Sequence, residues 1–195
     1  MFRDAPVPKR TKCTYNERTM KWKNLAAETC TFFITGTISE WQPLLLQDRP
    51  RQIVLQDLDF FRRKFSTLIL AFVIMPEHYH IVIELRRPED LHSWLRDFQS
   101  HTAHELARYI SETLPEGDLR VYRQHANGKA KMAVWKEQAR AELILTQPVL
   151  DQKINYIHDN PLRRGLVDCP GDWPLSSWRN YELDDQTNFY VDTIG

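Results

Sequence analysis

The sequence predicts an α+β sandwich of ferredoxin-like or RRM-like type, an antiparallel sheet with helices packed on it. Two observations carry this expectation. Two apolar, β-branched runs, residues 67–75 and 78–85, are separated only by Pro76 and Glu77 and read as a tight antiparallel hairpin. Around that hairpin the hydrophobic period switches in the order strand, helix, strand, strand, helix, strand, helix, which folds as helices laid against one sheet.

Each element has its own warrant. "CTFFITGTIS" (30–39) is rich in Thr, Phe and Ile and predicts a first strand. Residues 48–66 place Ile53, Val54, Leu58 and Phe61 at helical spacing, with Pro50 near the start. "TLILAFVIM" (67–75) is an apolar run of strand length, and "HYHIVIEL" (78–85) follows it. Residues 89–114 predict a long helix whose apolar face draws on Leu91, Trp94, Leu95, Phe98, Leu106 and Ile110. Residues 115–130, with Pro115, Gly117, Asn127 and Gly128, predict a loop holding a short strand around "RVYRQH" (120–125). Another strand is expected to begin near Met132–Trp135. Residues 147–161 predict a helix with Pro148 in the first turn, where proline is tolerated. Asn160-Pro161 is expected to close it, because the residue before proline is pushed out of the α region. The remainder to Tyr181 reads as loop with a short helix.

The chain has 195 residues, enough for one domain with a real core, and its formal net charge is zero. The expected organisation is a basic N-terminal extension (1–24), a single domain (25–181) and an acidic tail (182–195). Residues 1–24 carry seven Lys/Arg against Asp4 and Glu17, while 182–195 carry Glu182, Asp184, Asp185 and Asp192 and no basic residue. Such polarity suits contact with a polyanion, but charge alone favours two solvated termini. Cys13, Cys30 and Cys169 are widely spaced, which predicts free thiols in a reducing compartment and no structural zinc site. "MFRDAPVPKR" has no apolar signal region, and no run approaches the roughly 18–20 apolar residues of a membrane span. A cytoplasmic protein without membrane association is expected.

The chemistry begins at residues 78–85. Side chains alternate along a strand, so Tyr79, Ile81, Ile83 and Leu85 share the core face and His78, His80, Val82 and Glu84 the other. Two imidazoles at i and i+2 stand about 7 Å apart and can turn to one ion. The pair also fits two satisfied histidines at a strand edge. No H-E-x-x-H is present, and Val82 stands where a third alternating histidine would be, so a third ligand is expected from another element.

Residues 147–161 hold the best candidate. Leu150, Ile154 and Ile157 form the buried stripe, and Tyr156 and Asn160 lie together on one flank, with Lys153 beside them. A phenol of pKa about 10 is a poor nucleophile at neutral pH. A divalent metal polarising a phosphoryl oxygen compensates for that. Asn160 offers an oxygen ligand one turn away. Two nitrogens and one oxygen, with phosphate and water, suit Mg²⁺ or Mn²⁺. Taken singly, Tyr156 fits a boundary residue and Asn160 a helix end; their joint placement beside a His-x-His strand points to a site.

These residues also carry a family resemblance. "MPEHYHIVIEL" (75–85) resembles the HUH motif of the single-tyrosine transposases. "YIHDNPLRRGLV" (156–167) resembles the tyrosine-helix signature of the REP-associated tyrosine transposases, and "DWPLSSWRNY" (172–181) resembles the segment after it. The likeness runs over roughly residues 25–181. "KEQARAEL" (136–143) departs from the aromatic pair and aspartate usual in the family, which bears on local packing. The resemblance implies an insertion-sequence transposase-like enzyme, a tyrosine HUH endonuclease acting as a monomer or homodimer on single-stranded DNA at hairpin-forming repeats. It implies an HUH motif on a central strand and a nucleophile on a C-terminal helix. Carried over by motif, His78, His80 and Asn160 are the ligands of Mg²⁺ or Mn²⁺. Tyr156 is the nucleophile, leaving a 5′-phosphotyrosine and a free 3′-OH. Arg163, Arg164, Lys153, Arg62, Arg63 and Lys64 are the candidate DNA contacts. Two other readings stand beside it. One is a non-catalytic single-strand-binding module; the other is a metal-dependent phosphodiesterase with a water nucleophile.

Overall fold

A computed structural model of the chain describes residues 30–124, 126 and 132–192. The basic segment 1–24, Cys13, Asn127 and Gly128 lie outside the described residues. Among the described residues four strands and five α-helices follow in order: β1 (Cys30–Thr37), α1 (Asp48–Phe65), β2 (Leu68–Ile74), β3 (His78–Leu85), α2 (Leu91–Thr113), α3 (Glu116–Arg123), β4 (Arg140–Ile144), α4 (Gln147–Arg163) and α5 (Trp178–Glu182). The strands form one sheet in the order β2-β3-β1-β4, with every neighbouring pair antiparallel. This is the ferredoxin-like arrangement the sequence predicts, with β3 and β1 at the centre.

Both sheet faces are covered. Phe32, Ile34, Phe72, Ile74, Tyr79, Ile81 and Ile83 pack with residues of α1 and α2 such as Leu58, Phe61, Trp94 and Phe98. Phe33, Ala71, Val73 and Val82 on the opposite face pack with Leu150, Ile154 and Ile157 of α4. A register shift between Ile69 and Ala71 turns both Leu70 and Ala71 to the α4 side, as an extra residue in a strand requires. The alternation read from β3 is therefore a choice between two cores, and the histidines lie in the α4 layer.

Three local expectations are corrected. Residues 120–124 of "RVYRQH" are not a strand, His125 lying outside the described residues: those to Arg123 belong to α3, where Leu119 and Tyr122 are buried at i and i+3, a helical spacing. The strand expected near Met132–Trp135 is a single bridge between Ile38 and Trp135, and β4 begins at Arg140. It is an edge strand with mostly exposed side chains, so its apolar pattern is faint. Third, α4 does not close at Asn160-Pro161. It runs through Pro161 to Arg163 and stops at Gly165, whose φ of 67° glycine adopts without steric cost.

Residues 183–192 are packed. Val191 is fully buried, and Asp192 both donates to the Ile69 carbonyl (2.8 Å) and accepts from its N–H (2.9 Å). Leu175 and Ser177 bond to Ile74 and Phe72 of the same strand. The outer edge of β2 is thereby covered, which blocks edge-to-edge pairing.

Candidate active site

β3 lies against β1 with His78 opposite Thr37, Tyr79 opposite Gly36 and His80 opposite Thr35. The two imidazoles are buried, with ring centroids 4.8 Å apart. Tyr79 faces the other core between Trp135 and Phe98. A Cβ on Gly36 would overlap the Tyr79 ring, so glycine is required there for space. Burial also raises the Tyr79 pKa, which removes it further from nucleophilic use.

Each imidazole is held from behind. Glu77 Oε1 lies 3.1 Å from His78 Nδ1, and Thr35 Oγ1 lies 2.8 Å from His80 Nδ1. A carboxylate accepting from Nδ1–H fixes a ring's tautomer and leaves Nε2 as the ligating nitrogen. Burial pushes the His80 pKa down to about 3, assisted by His78 and Lys153. Burial also lowers that of His78 against the opposing pull of Glu77. Both rings are therefore neutral near pH 7, the form in which imidazole binds a metal.

α4 brings the second half. The Tyr156 ring stands edge-on to His80, with centroids 5.2 Å apart, and edge-on to Phe33 at 6.0 Å. One turn later Asn160 is buried, with its side chain within hydrogen-bonding reach of the His78 imidazole. Arg164 reaches back to Glu77 Oε1 at 2.7 Å, tying the end of α4 to the start of β3. The Arg163 guanidinium stands over the Tyr156 ring, 5.7 Å from its centroid. Lys153 lies over the Phe33 ring at 4.5 Å and pairs with Glu142 at 2.7 Å. An open hollow of about 510 Å³ adjoins Tyr156, lined by Asp151, Asn155, Asp159 and Arg163 among others.

Of the sequence-predicted residues, His78, His80, Tyr156 and Asn160 come together, with Lys153, Arg163 and Arg164 around them. Arg62, Arg63 and Lys64 do not. They end α1, next to Leu68, which pairs with Glu84, so they lie six strand residues or roughly 20 Å from His78. Each is paired with a carboxylate there: Arg62 with Asp59 and Asp192, Arg63 with Asp59, Lys64 with Asp97.

Sequence reasoning used Glu77 only as a turn residue and passed over Thr35. A carboxylate directly before the first histidine was the available signal for Glu77. Thr35 had none, because strand register cannot be read from its own segment. Among the described residues no three His, Cys, Asp or Glu side chains gather as a metal cage. The donor set is two neutral imidazoles, each held at Nδ1, and one buried amide, a set whose chemistry fits a divalent cation with open positions. Among the described residues no helix is long and apolar enough to cross a membrane.

No family model matches the chain. A curated relative from Haemophilus influenzae, named "Putative REP-associated tyrosine transposase", is 23% identical over 142 residues, covering 69% of this chain and 76% of that protein. A solved structure described as a REP-associated tyrosine transposase bound to a REP hairpin is similar in fold, with a TM-score of 0.60. It covers 93% of this chain and 92% of its own, at 19% identity.

Proposed function

We propose that this chain, which resembles the REP-associated tyrosine transposases in sequence and in fold, nicks and rejoins single-stranded DNA at hairpin-forming repeats. The observation that carries the proposal is the meeting of Tyr156 with His80, and of Asn160 with His78, across two elements far apart in sequence. A binding module needs none of the four in register. That the structural neighbour is described bound to a REP hairpin supports a DNA hairpin as partner.

His78, His80 and Asn160 would hold Mg²⁺ or Mn²⁺, which polarises a phosphoryl oxygen when bound. Glu77 and Thr35 keep the two imidazoles turned towards that position. The Tyr156 phenol oxygen attacks the scissile phosphorus and gives up its proton. The bond from phosphorus to the 3′ oxygen breaks, and that oxygen leaves as a 3′-OH after taking up a proton. The 5′ phosphate stays on Tyr156 as a phosphodiester, so a second 3′-OH can reverse the step and rejoin strands. Arg163, over the Tyr156 ring, offers a guanidinium to that phosphate.

The test is incubation with labelled single-stranded hairpin DNA and Mg²⁺ or Mn²⁺, followed by a denaturing gel. A covalent adduct is expected, absent with Tyr156→Phe and with His78→Ala/His80→Ala. Cleavage that survives Tyr156→Phe would replace this reading with a water-using phosphodiesterase. Binding without cleavage would favour a non-catalytic module.

A further inference from the structure

We infer that Trp41 is a stacking platform for an unpaired nucleobase next to the scissile phosphate, an inference that rests on the function proposed above. Trp41 is 53% exposed among the described residues, although its ring stands edge-on to the buried His78, with centroids 6.1 Å apart. Tyr156 approaches His80 and Trp41 approaches His78, so two aromatic rings flank the imidazole pair. The exposed Lys136 places its ammonium over one side of the indole, 5.6 Å from the ring centroid. An exposed aromatic ring with a cation at it is what single-stranded nucleic acid uses: the base stacks on the ring and the backbone phosphate meets the charge. A Watson–Crick pair inside a duplex keeps its faces stacked on its neighbours, so the ligand is an unpaired base.

The backbone fixes this ring in place. Glu40 and Trp41 both have left-handed φ, 51° and 54°, which side chains other than glycine and asparagine seldom adopt. The surroundings hold them there. On one side Ile38 N–H donates to the Glu77 carbonyl (2.8 Å) and Leu45 N–H to the Pro76 carbonyl (2.9 Å), tying the turn to the approach to His78. On the other, Ser39 N–H donates to Val134 and Lys136 N–H to Thr37, both at 2.8 Å. The turn that presents Trp41 is thus clamped both to the histidine strand and to the segment carrying Lys136. Backbone in a disfavoured region that its neighbours over-determine is typical of ligand clamps. An indole needed only for packing would not require two such residues to hold it half in solvent.

The experiment compares wild-type protein, Trp41→Ala and Trp41→Phe on hairpin DNA carrying single abasic sites, placed in turn on each side of the nick mapped by the adduct. Affinity is read by fluorescence anisotropy. Wild type is expected to lose about 5- to 150-fold at one abasic position, the range for one stacked base. Trp41→Ala should bind intact DNA weaker by a similar factor and show no further loss at that position. Trp41→Phe should recover part of the affinity. Trp41→Gly, which suits the left-handed backbone, replaces alanine if circular dichroism shows that alanine disturbs the fold. A Trp41→Ala protein that binds intact DNA like wild type, or that responds to every abasic site as wild type does, overturns the platform while leaving the adduct chemistry intact. Wild-type protein that binds no single-stranded DNA overturns both readings.

Discussion

His158 sits two residues from Tyr156 and is buried on another side of α4, where its Nε2 lies 2.9 Å from Ser177 Oγ. Burial pushes its pKa down to about 3. The unfolded chain, with a histidine pKa near 6.5, therefore takes up this proton first as pH falls. Its contribution to stability is complete above about pH 6.5 and declines by about 1.4 kcal/mol per pH unit as pH falls towards 3. Urea unfolding from pH 7 to 5 should show this loss, and His158→Gln should make the slope shallower. An unchanged slope in the variant would mean that His158 does not titrate on unfolding. The same burial acts on His80, where the neutral ring is the one a metal requires.

At the scale of elements, the joint between β3 and α4 matters most. Glu77 is buried and touches both His78 Nδ1 and Arg164, so one carboxylate orients an imidazole and anchors a helix end. Removing the carboxylate frees the His78 ring to turn. In the proposed metal site, Glu77→Ala is expected to weaken Mn²⁺ binding by about 10- to 100-fold, as loss of a partner to a metal-ligating histidine does. Arg164→Ala should have a smaller effect, because Arg164 acts through Glu77 and is half-exposed. Titration calorimetry measures both, with helix content checked by circular dichroism. Wild-type affinity in Glu77→Ala would show that the carboxylate does not orient His78.

Over the whole molecule, charge is balanced, and the α1 cluster of Arg62, Arg63 and Lys64 is paired with carboxylates far from the histidines. Arg163 and Lys136 are exposed cations close to the histidines. Binding to single-stranded DNA should weaken as salt rises, with each phosphate contact contributing about 0.7 to the slope of log affinity against log salt. Arg163→Ala is expected to lower the slope by about that amount, and Arg63→Ala to leave it unchanged. The opposite result from salt titrations would move the DNA path to the α1 end of the sheet.

The sequence by itself determined what depends on local geometry. Alternation along a strand assigned Tyr79 to one face and His78 with His80 to the other. The 3.6-residue period placed Tyr156 and Asn160 on one flank of α4 and its apolar stripe beside them. Those assignments follow from backbone dihedrals that each segment carries in itself. Only the tertiary structure decided that this flank lies on that strand face, because the meeting depends on which buried surfaces pair. It also supplied Thr35 through strand register, Arg164 through the return of α4 to Glu77, and Trp41 through a turn clamped from two sides. It placed the α1 basic cluster at the far end of the sheet from the histidines. In α4 it overrode the local stop at Asn160-Pro161, keeping both residues buried in a helix that ends at Gly165. Contacts between segments far apart in sequence are set by packing and register, and neither is written in the period of a single segment.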